Sequence, residues 1–260
     1  MKKNQNVKEL KNKEIIPLGS RIIFKNSGCI VVNKLKGEAS EGAKKGIFDL
    51  RAYLSDFLGS EAQLVEAVNR LDVPVTGCAL FALTKESLAY LNKAFAENNP
   101  SIEKYYWAII EKPLFCLPES GERTHWIETN LRINKSFAYE KQRKGLKKAV
   151  LRYKIINKGD NYLFLEISLL SGRHHQIRAQ LASMGLHIKG DLKYGARRSE
   201  KEGGIRLHAR SLSFPNPLKK NGFNVEVVQK LEFPDNSNEK ITVTADPPDI
   251  DNLWKFFLPL

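Results

Sequence analysis

NYLFLEISLLSGRHHQIRAQLASMG, residues 161–185, changes its period halfway along. In its first half Leu163, Leu165, Ile167 and Leu169 occupy every second position, the spacing of a strand with one buried face. In its second half Ile177, Leu181 and Met184 fall four and then three residues apart, the stripe of a short helix. Gly185 then supplies a residue that tolerates the left-handed turn where helices stop. A strand therefore feeds a helix through a polar junction, and Arg178 rides on that helix.

Working outward, strands outnumber helices. RIIFKNSGCIVVNK (21–34) reads as a hairpin around a Ser-Gly turn, CALFALT (78–84) as a buried strand, EKYYWAIIEK (103–112) as a strand and IRLHARSLSFPNP (205–217) as a late strand ended by prolines. GIFDLRAYLSDFLG (46–59) spaces Ile47, Leu50, Leu54 and Phe57 as one helix face. KESLAYLNKAFAENNP (85–100) is a second helix with Leu88, Leu91 and Phe95 inward. Helices and strands do not alternate strictly, which predicts an α+β fold rather than a doubly wound α/β one. With no fixed-period repeat and no low-complexity linker, one domain over residues 20–260 is expected, preceded by a polar, lysine-rich tail over 1–19.

The 260 residues carry 42 Lys and Arg against 29 Asp and Glu, a formal net charge of +13. Such an excess points to a polyanionic partner, nucleic acid before anionic lipid. Residues 132–158 hold ten cations (Arg132, Lys135, Lys141, Arg143, Lys144, Lys147, Lys148, Arg152, Lys154 and Lys158) against the single acid Glu140. The middle of that run, KQRKGLKK (141–148), lacks apolar periodicity and reads as a basic loop, either solvated or facing RNA. The three cysteines are scattered, which argues for a reducing compartment and against a zinc site. The chain starts without an apolar leader and contains no apolar run near 18 residues, so a cytoplasmic protein with no membrane partner is expected.

NRLDVPVTG (69–77) sets Asp72 in a polar stretch between apolar runs. Taken alone, Asp72 is a turn residue, an ion-pair partner or a nucleophile. The order of strings around it separates these readings. VVNK, NRLDVPVTG, EKYYWAII, SGRHHQIRAQLASMGLHIKGDLKYG and LHARSLSFPNP follow one another from residue 31 to residue 217. In that order they resemble the RluA-type pseudouridine synthases, and the resemblance covers roughly residues 21–257. It implies the catalytic core of that family: a mixed, largely antiparallel sheet with helices and loops around a cleft, and no separate N-terminal RNA-binding domain. It implies further that Asp72 is the nucleophile, that Arg70 helps displace the target base, that Tyr106 contacts the flipped uracil and that Arg178 pairs with Asp72. The chain departs from the family strings at Leu35, Asn69, Val75-Thr76, Gln180 and Asn216.

The residue types suit the chemistry. Isomerising uridine breaks the bond from sugar to ring nitrogen and rebonds the ring through carbon, which calls for a carboxylate as nucleophile or cation stabiliser. Away from water a carboxylate tends to protonate, and an adjacent arginine favours its charged form. Arg70 has a planar head that can fill the space left by a flipped base, and Tyr106 offers an aromatic face, although Tyr105 is an alternative ring. Further candidates for RNA contact are Lys104, Lys141, Arg143, Lys144, Lys147, Lys148, Arg173 and His174. The His174-His175 pair has no cysteine or carboxylate at ligand spacing and reads as structural or RNA-facing, and Cys78 reads as a small core residue.

No GxxxxGK[ST] or HExxH string is present, so no cofactor, metal or nucleotide is expected. The expected partner is ribosomal or transfer RNA, bound by a single copy of the chain. Two rival readings remain: a catalytically weak or inactive RNA-binding protein of the same fold, suggested by Asn69, Val75 and Gln180, and a basic hydrolase that merely uses Asp72.

Overall fold

The computed structural model describes residues 16–97, 99–218, 239–248 and 250–258. Strands dominate. In chain order they are β1 (Ile22–Lys25), β2 (Cys29–Lys34), β3 (Glu38–Ala39), β4 (Phe48–Asp49), β5 (Glu66–Ala67), β6 (Thr76–Ala82), β7 (Glu103–Glu111), β8 (Ser120–Asn130), β9 (Lys135–Tyr139), β10 (Lys147–Lys158), β11 (Tyr162–Leu169), β12 (Leu207–Pro215) and β13 (Lys240–Thr244). The helices are α1 (Leu50–Leu58), α2 (Lys85–Ala96), α3 (Gln176–Ser183) and α4 (Asn252–Phe257).

Eleven strands form one sheet in the order β1-β2-β6-β12-β7-β11-β10-β8-β9, with β13 on β12 and β5 on β6. The β12–β6 pair is parallel, and the other pairs of this sheet are antiparallel. The fold is therefore α+β, with a mixed, largely antiparallel sheet, as the sequence predicts. One face of its long strands is apolar. Leu151, Tyr153, Leu163, Leu165 and Ile167 from β10 and β11 join Ile177 and Leu181 of α3 in a single core. Each such aliphatic side chain contributes about 1.5–3 kcal/mol through burial.

Three local expectations need correction. Phe57 is exposed and Leu58 takes its place inside, because Leu50, Leu54 and Leu58 recur every four residues and set the buried stripe of α1. Lys147 and Lys148 are not in a loop: they begin β10 and pair with Ile127 and Trp126 of β8, so the basic loop is only residues 140–146. Their side chains are exposed while Ala149, Leu151, Tyr153 and Ile155 alternate inward. The tail expected over 1–19 is described only from residue 16, and Leu18 within it is a buried core residue. Among the described residues no helix is long and apolar enough to cross a membrane.

The parallel pair brings β6, which follows Asp72, against β12. Gly77 permits the approach: its φ is +112°, and a Cβ there would lie 2.3 Å from the Ala209 carbonyl oxygen. Beside it, fully buried His208 bridges Thr76 (Oγ1 to Nδ1, 2.8 Å) and the Ala245 carbonyl (Nε2 to O, 2.9 Å). Burial pulls the His208 pKa down to about 4, against the opposing pull of the Ala245 carbonyl. An unfolded histidine titrates near ~6.5. Below that pH the unfolded chain gains a proton that the folded chain takes up only near pH 4, so stability falls as pH drops through this window. Between pH 7 and 5 this group alone is expected to remove about 2 kcal/mol. His208→Gln keeps an acceptor and a donor without titrating. Urea midpoints of that variant should depend less on pH than those of the wild type; an equal dependence removes His208 as the cause.

Candidate active site

Asp72 sits in the connection from β5 to β6, and its neighbours fix it there. Leu71 and Val75 on either side are buried. The Leu71 N–H donates to Ser40 Oγ at 3.1 Å, and the Val75 N–H closes a turn onto the Asp72 carbonyl at 2.9 Å. The Val73 carbonyl accepts from the Gly37 N–H at 2.8 Å and from Lys34 Nζ at 3.3 Å. Lys34 is fully buried and also donates to the carbonyls of Leu35 and Glu38. Burial pulls its ammonium down to about 7, with the charges of Glu38 and Asp72 opposing. The loop is thus anchored by two apolar plugs and a buried lysine, which leaves the Asp72 carboxylate at its apex.

Helix α3 supplies the opposing cation. Gln176 locks the junction before it: its Oε1 accepts from the Arg173 N–H at 3.0 Å and from Ser171 Oγ at 2.9 Å, and its Nε2 donates to the Val150 carbonyl at 3.1 Å. Buried Arg178 uses all three faces of its guanidinium. Nε and Nη2 grip the two oxygens of Asp191 at 2.7 and 2.8 Å, and Nη1 donates to Asp72 Oδ2 at 2.9 Å. Burial works against this cation, but Asp191 and then Asp72 outweigh it and hold the guanidinium above its usual pKa. An arginine pinned by one carboxylate is thus presented to a second.

The expected catalytic residues converge. Arg70, Asp72, Tyr106 and Arg178 line one cleft together with Arg173 and His175. Arg70 has an exposed side chain (74%), whose ion-pair partner among the described residues is Glu41 at 3.6 Å. Burial, and then the charge of Asp72, push the Tyr106 phenol up and keep it protonated. Tyr105, one residue along β7, lies on the other face of the sheet. There it lines a separate depression of about 470 Å³ with Arg152 and Glu166.

Among the candidate RNA contacts, Arg173 and His174 are exposed beside the cleft, and Arg173 Nε donates to the Lys148 carbonyl at 3.2 Å. Lys104 is half-buried, with Nζ 3.4 Å from the Ser171 carbonyl; burial, then the charge of Arg173, lower its pKa. Lys141, Arg143 and Lys144 are exposed, and the Arg143 guanidinium lies 4.7 Å from the centre of the Tyr139 ring. Cys78 is buried, and burial pushes its thiol up to about 12, as suits a core residue.

Two residues of the site, Asp191 and Tyr194, escaped the sequence reading, and His175, read there only as half of a structural or RNA-facing pair, lines the cleft. His175 Nε2 lies 3.5 Å from Asp72 Oδ2, and its Nδ1 is 2.9 Å from the Tyr194 hydroxyl. Asp191 and Tyr194 stand in KGDLKYG (189–195), where glycines on both sides suggest only a turn; a carboxylate and a phenol between two such glycines were the available signal. The departures Asn69 and Gln180 do structural work. Asn69 bridges the backbone of β6 (Nδ2 to the Cys78 carbonyl, 3.1 Å; Oδ1 from the Leu80 N–H, 2.6 Å). Gln180 is buried and donates to His125 and to the Arg123 and Ala149 carbonyls.

Comparison with known proteins gives a consistent picture. A family model described as RNA pseudouridylate synthase matches residues 28–183, more than half of the chain. A ribosomal large subunit pseudouridine synthase C from Vibrio vulnificus is 28% identical over 78% of this chain and 64% of its own length. A tRNA pseudouridine synthase C from Vibrio parahaemolyticus is 26% identical over 87% of this chain and 95% of its own. The solved structure of human RNA pseudouridylate synthase domain containing 4 superposes with a TM-score of 0.66, at 19% identity, over 92% of this chain and 91% of that one. The chain thus spans just under two thirds of the ribosomal relative's length.

Proposed function

Because the chain belongs to the RNA pseudouridylate synthase family, we propose that it converts a uridine of a structured ribosomal or transfer RNA to pseudouridine, with Asp72 as the nucleophile. The observation that carries this reading is the 2.9 Å pair between Arg178 and Asp72 at the floor of a cleft that also holds Arg70 and Tyr106. Arg178 holds the Asp72 carboxylate in place through a charge-assisted hydrogen bond. The target base leaves its stack at a cost of a few kcal/mol. Arg70, exposed and loosely held, enters the gap, and the Tyr106 ring receives the uracil face. Attack of Asp72 on the sugar C1′ breaks its bond to ring N1; the freed ring turns, C5 bonds to C1′ as the Asp72–C1′ bond breaks, the C5 proton leaves to solvent and N1 takes up a proton.

Asn69 and Gln180 face strand backbone and core instead of the cleft, so neither favours an inactive binding protein. Transcripts of ribosomal and transfer RNA carrying ring-tritiated uridine test the reading. Purified protein is expected to release tritium from one class; release from neither, under conditions where RNA is bound, counts against it.

Sequence-independent attraction comes from exposed cations, among them those of residues 141–148. Changing Lys141, Arg143, Lys144, Lys147 and Lys148 together to Gln is expected to leave the melting temperature nearly unchanged, since all five are exposed. RNA binding should weaken, and the slope of log affinity against log salt should flatten by roughly one unit for each phosphate that the variant no longer neutralises. Wild-type affinity and slope in that variant would place the RNA elsewhere.

A further inference from the structure

We infer that Tyr194 and His175 form a positioning relay for Asp72: the Tyr194 hydroxyl fixes His175 with its proton on Nε2, and that N–H holds Asp72 Oδ2 during the reaction. The inference rests on the proposed role of Asp72. The proton can be assigned by following donors from one partner to the next. The Ser136 backbone N–H, which can only donate, lies 2.8 Å from Tyr194 Oη. That oxygen therefore accepts from Ser136, and its own hydrogen is left for its other partner, His175 Nδ1 at 2.9 Å. Nδ1 is then an acceptor, and the one ring proton of a neutral imidazole must be on Nε2. Burial keeps the ring neutral, pulling its pKa down to about 4 despite the nearby charge of Asp72.

Other contacts hold the parts in register. His175 adopts a left-handed backbone with φ of 52°, an uncommon conformation for a residue other than glycine that turns the chain just before α3. Its ring stacks on His174 at 3.8 Å, and His174 in turn bonds Ser136 Oγ at 2.9 Å. The Tyr194 ring lies under the Arg178 guanidinium at 4.8 Å, a contact that draws electron density from the phenol and favours its donor role. The consequence is an asymmetric carboxylate. Arg178 Nη1 at 2.9 Å and His175 Nε2 at 3.5 Å both address Oδ2, while Oδ1 accepts no hydrogen bond among the described residues. The 3.5 Å separation is longer than a formed hydrogen bond; catalytic contacts of this kind close when substrate binds. Oδ1 is the oxygen presented to the sugar.

Long-range ¹H–¹⁵N correlation spectra of the full chain, with His175 assigned by its loss in His175→Gln, read the tautomer without any activity assay. The expected result is a neutral His175 carrying its proton on Nε2, with that preference lost in Tyr194→Phe. In parallel, Tyr194→Phe should lower kcat by roughly tenfold or more with little change in KM. His175→Gln, which keeps an N–H donor near the Nε2 position, should retain more kcat than His175→Leu. A proton on Nδ1 in the wild type, or a Tyr194→Phe variant with unchanged tautomer and unchanged kcat, overturns the relay. Absence of isomerase activity in the wild type would instead count against the proposed function, and the tautomer would still be measured.

Discussion

Asp72→Asn is expected to lower uridine isomerisation by at least about a thousandfold while RNA affinity stays within about threefold of wild type. The amide is close in size to the carboxylate, and the loop that carries it is anchored by groups other than this side chain: Leu71 and Val75 in the core, and the Val73 carbonyl on Lys34 and Gly37. The variant therefore folds and keeps its distributed cations. It loses the negative charge that Arg178 faces at 2.9 Å and the nucleophilic oxygen itself. Tritium release and filter binding on the same preparation separate the two effects. Substantial turnover by the Asn variant removes Asp72 as nucleophile.

The second large effect belongs to Arg178. Truncation to Ala removes the partner of Asp72 and also strands Asp191, which is 2% exposed and takes both of its guanidinium bonds from Arg178. Breaking a buried pair on one side costs about 3–5 kcal/mol, so Arg178→Ala is expected to lose both stability and turnover. Arg178→Lys keeps the charge but has no fork with which to hold Asp191 through two nitrogens and Asp72 through a third. Turnover of the Lys variant is expected to fall by on the order of a hundredfold, with stability between those of Ala and wild type. A Lys variant matching wild type in urea midpoint and turnover would mean that geometry at Arg178 is immaterial.

How much of this was legible in the sequence follows from where side chains point. The β11–α3 passage was readable because Leu163, Leu165 and Ile167, then Ile177 and Leu181, face one core, and each period is printed in the sequence. Strand β8 was not readable: SGERTHWIETN buries His125 and Ile127 and leaves polar residues on both faces. The start of β10 was hidden by Lys147 and Lys148, since a strand that begins in solvent shows no alternation until Ala149. The catalytic candidates were found through the order of five strings, and the fold gathers them into one cleft. Asp191 acts on that cleft through Arg178 and Tyr194 through His175, and contacts between residues distant in sequence leave no local pattern. Lys34 is a similar case: a lysine at the end of a strand is ordinarily solvated, and only the fold shows its ammonium enclosed by three carbonyls.

The central claim, that this chain makes pseudouridine with Asp72, is tested most directly by mapping pseudouridine in total RNA from cells lacking the gene, and from the same cells supplied with wild type or Asp72→Asn. Loss of the gene is expected to erase a defined site or small set of sites in ribosomal or transfer RNA, restored by wild type and left blank by Asp72→Asn. A map unchanged by loss of the gene, or restored by Asp72→Asn, would contradict the account.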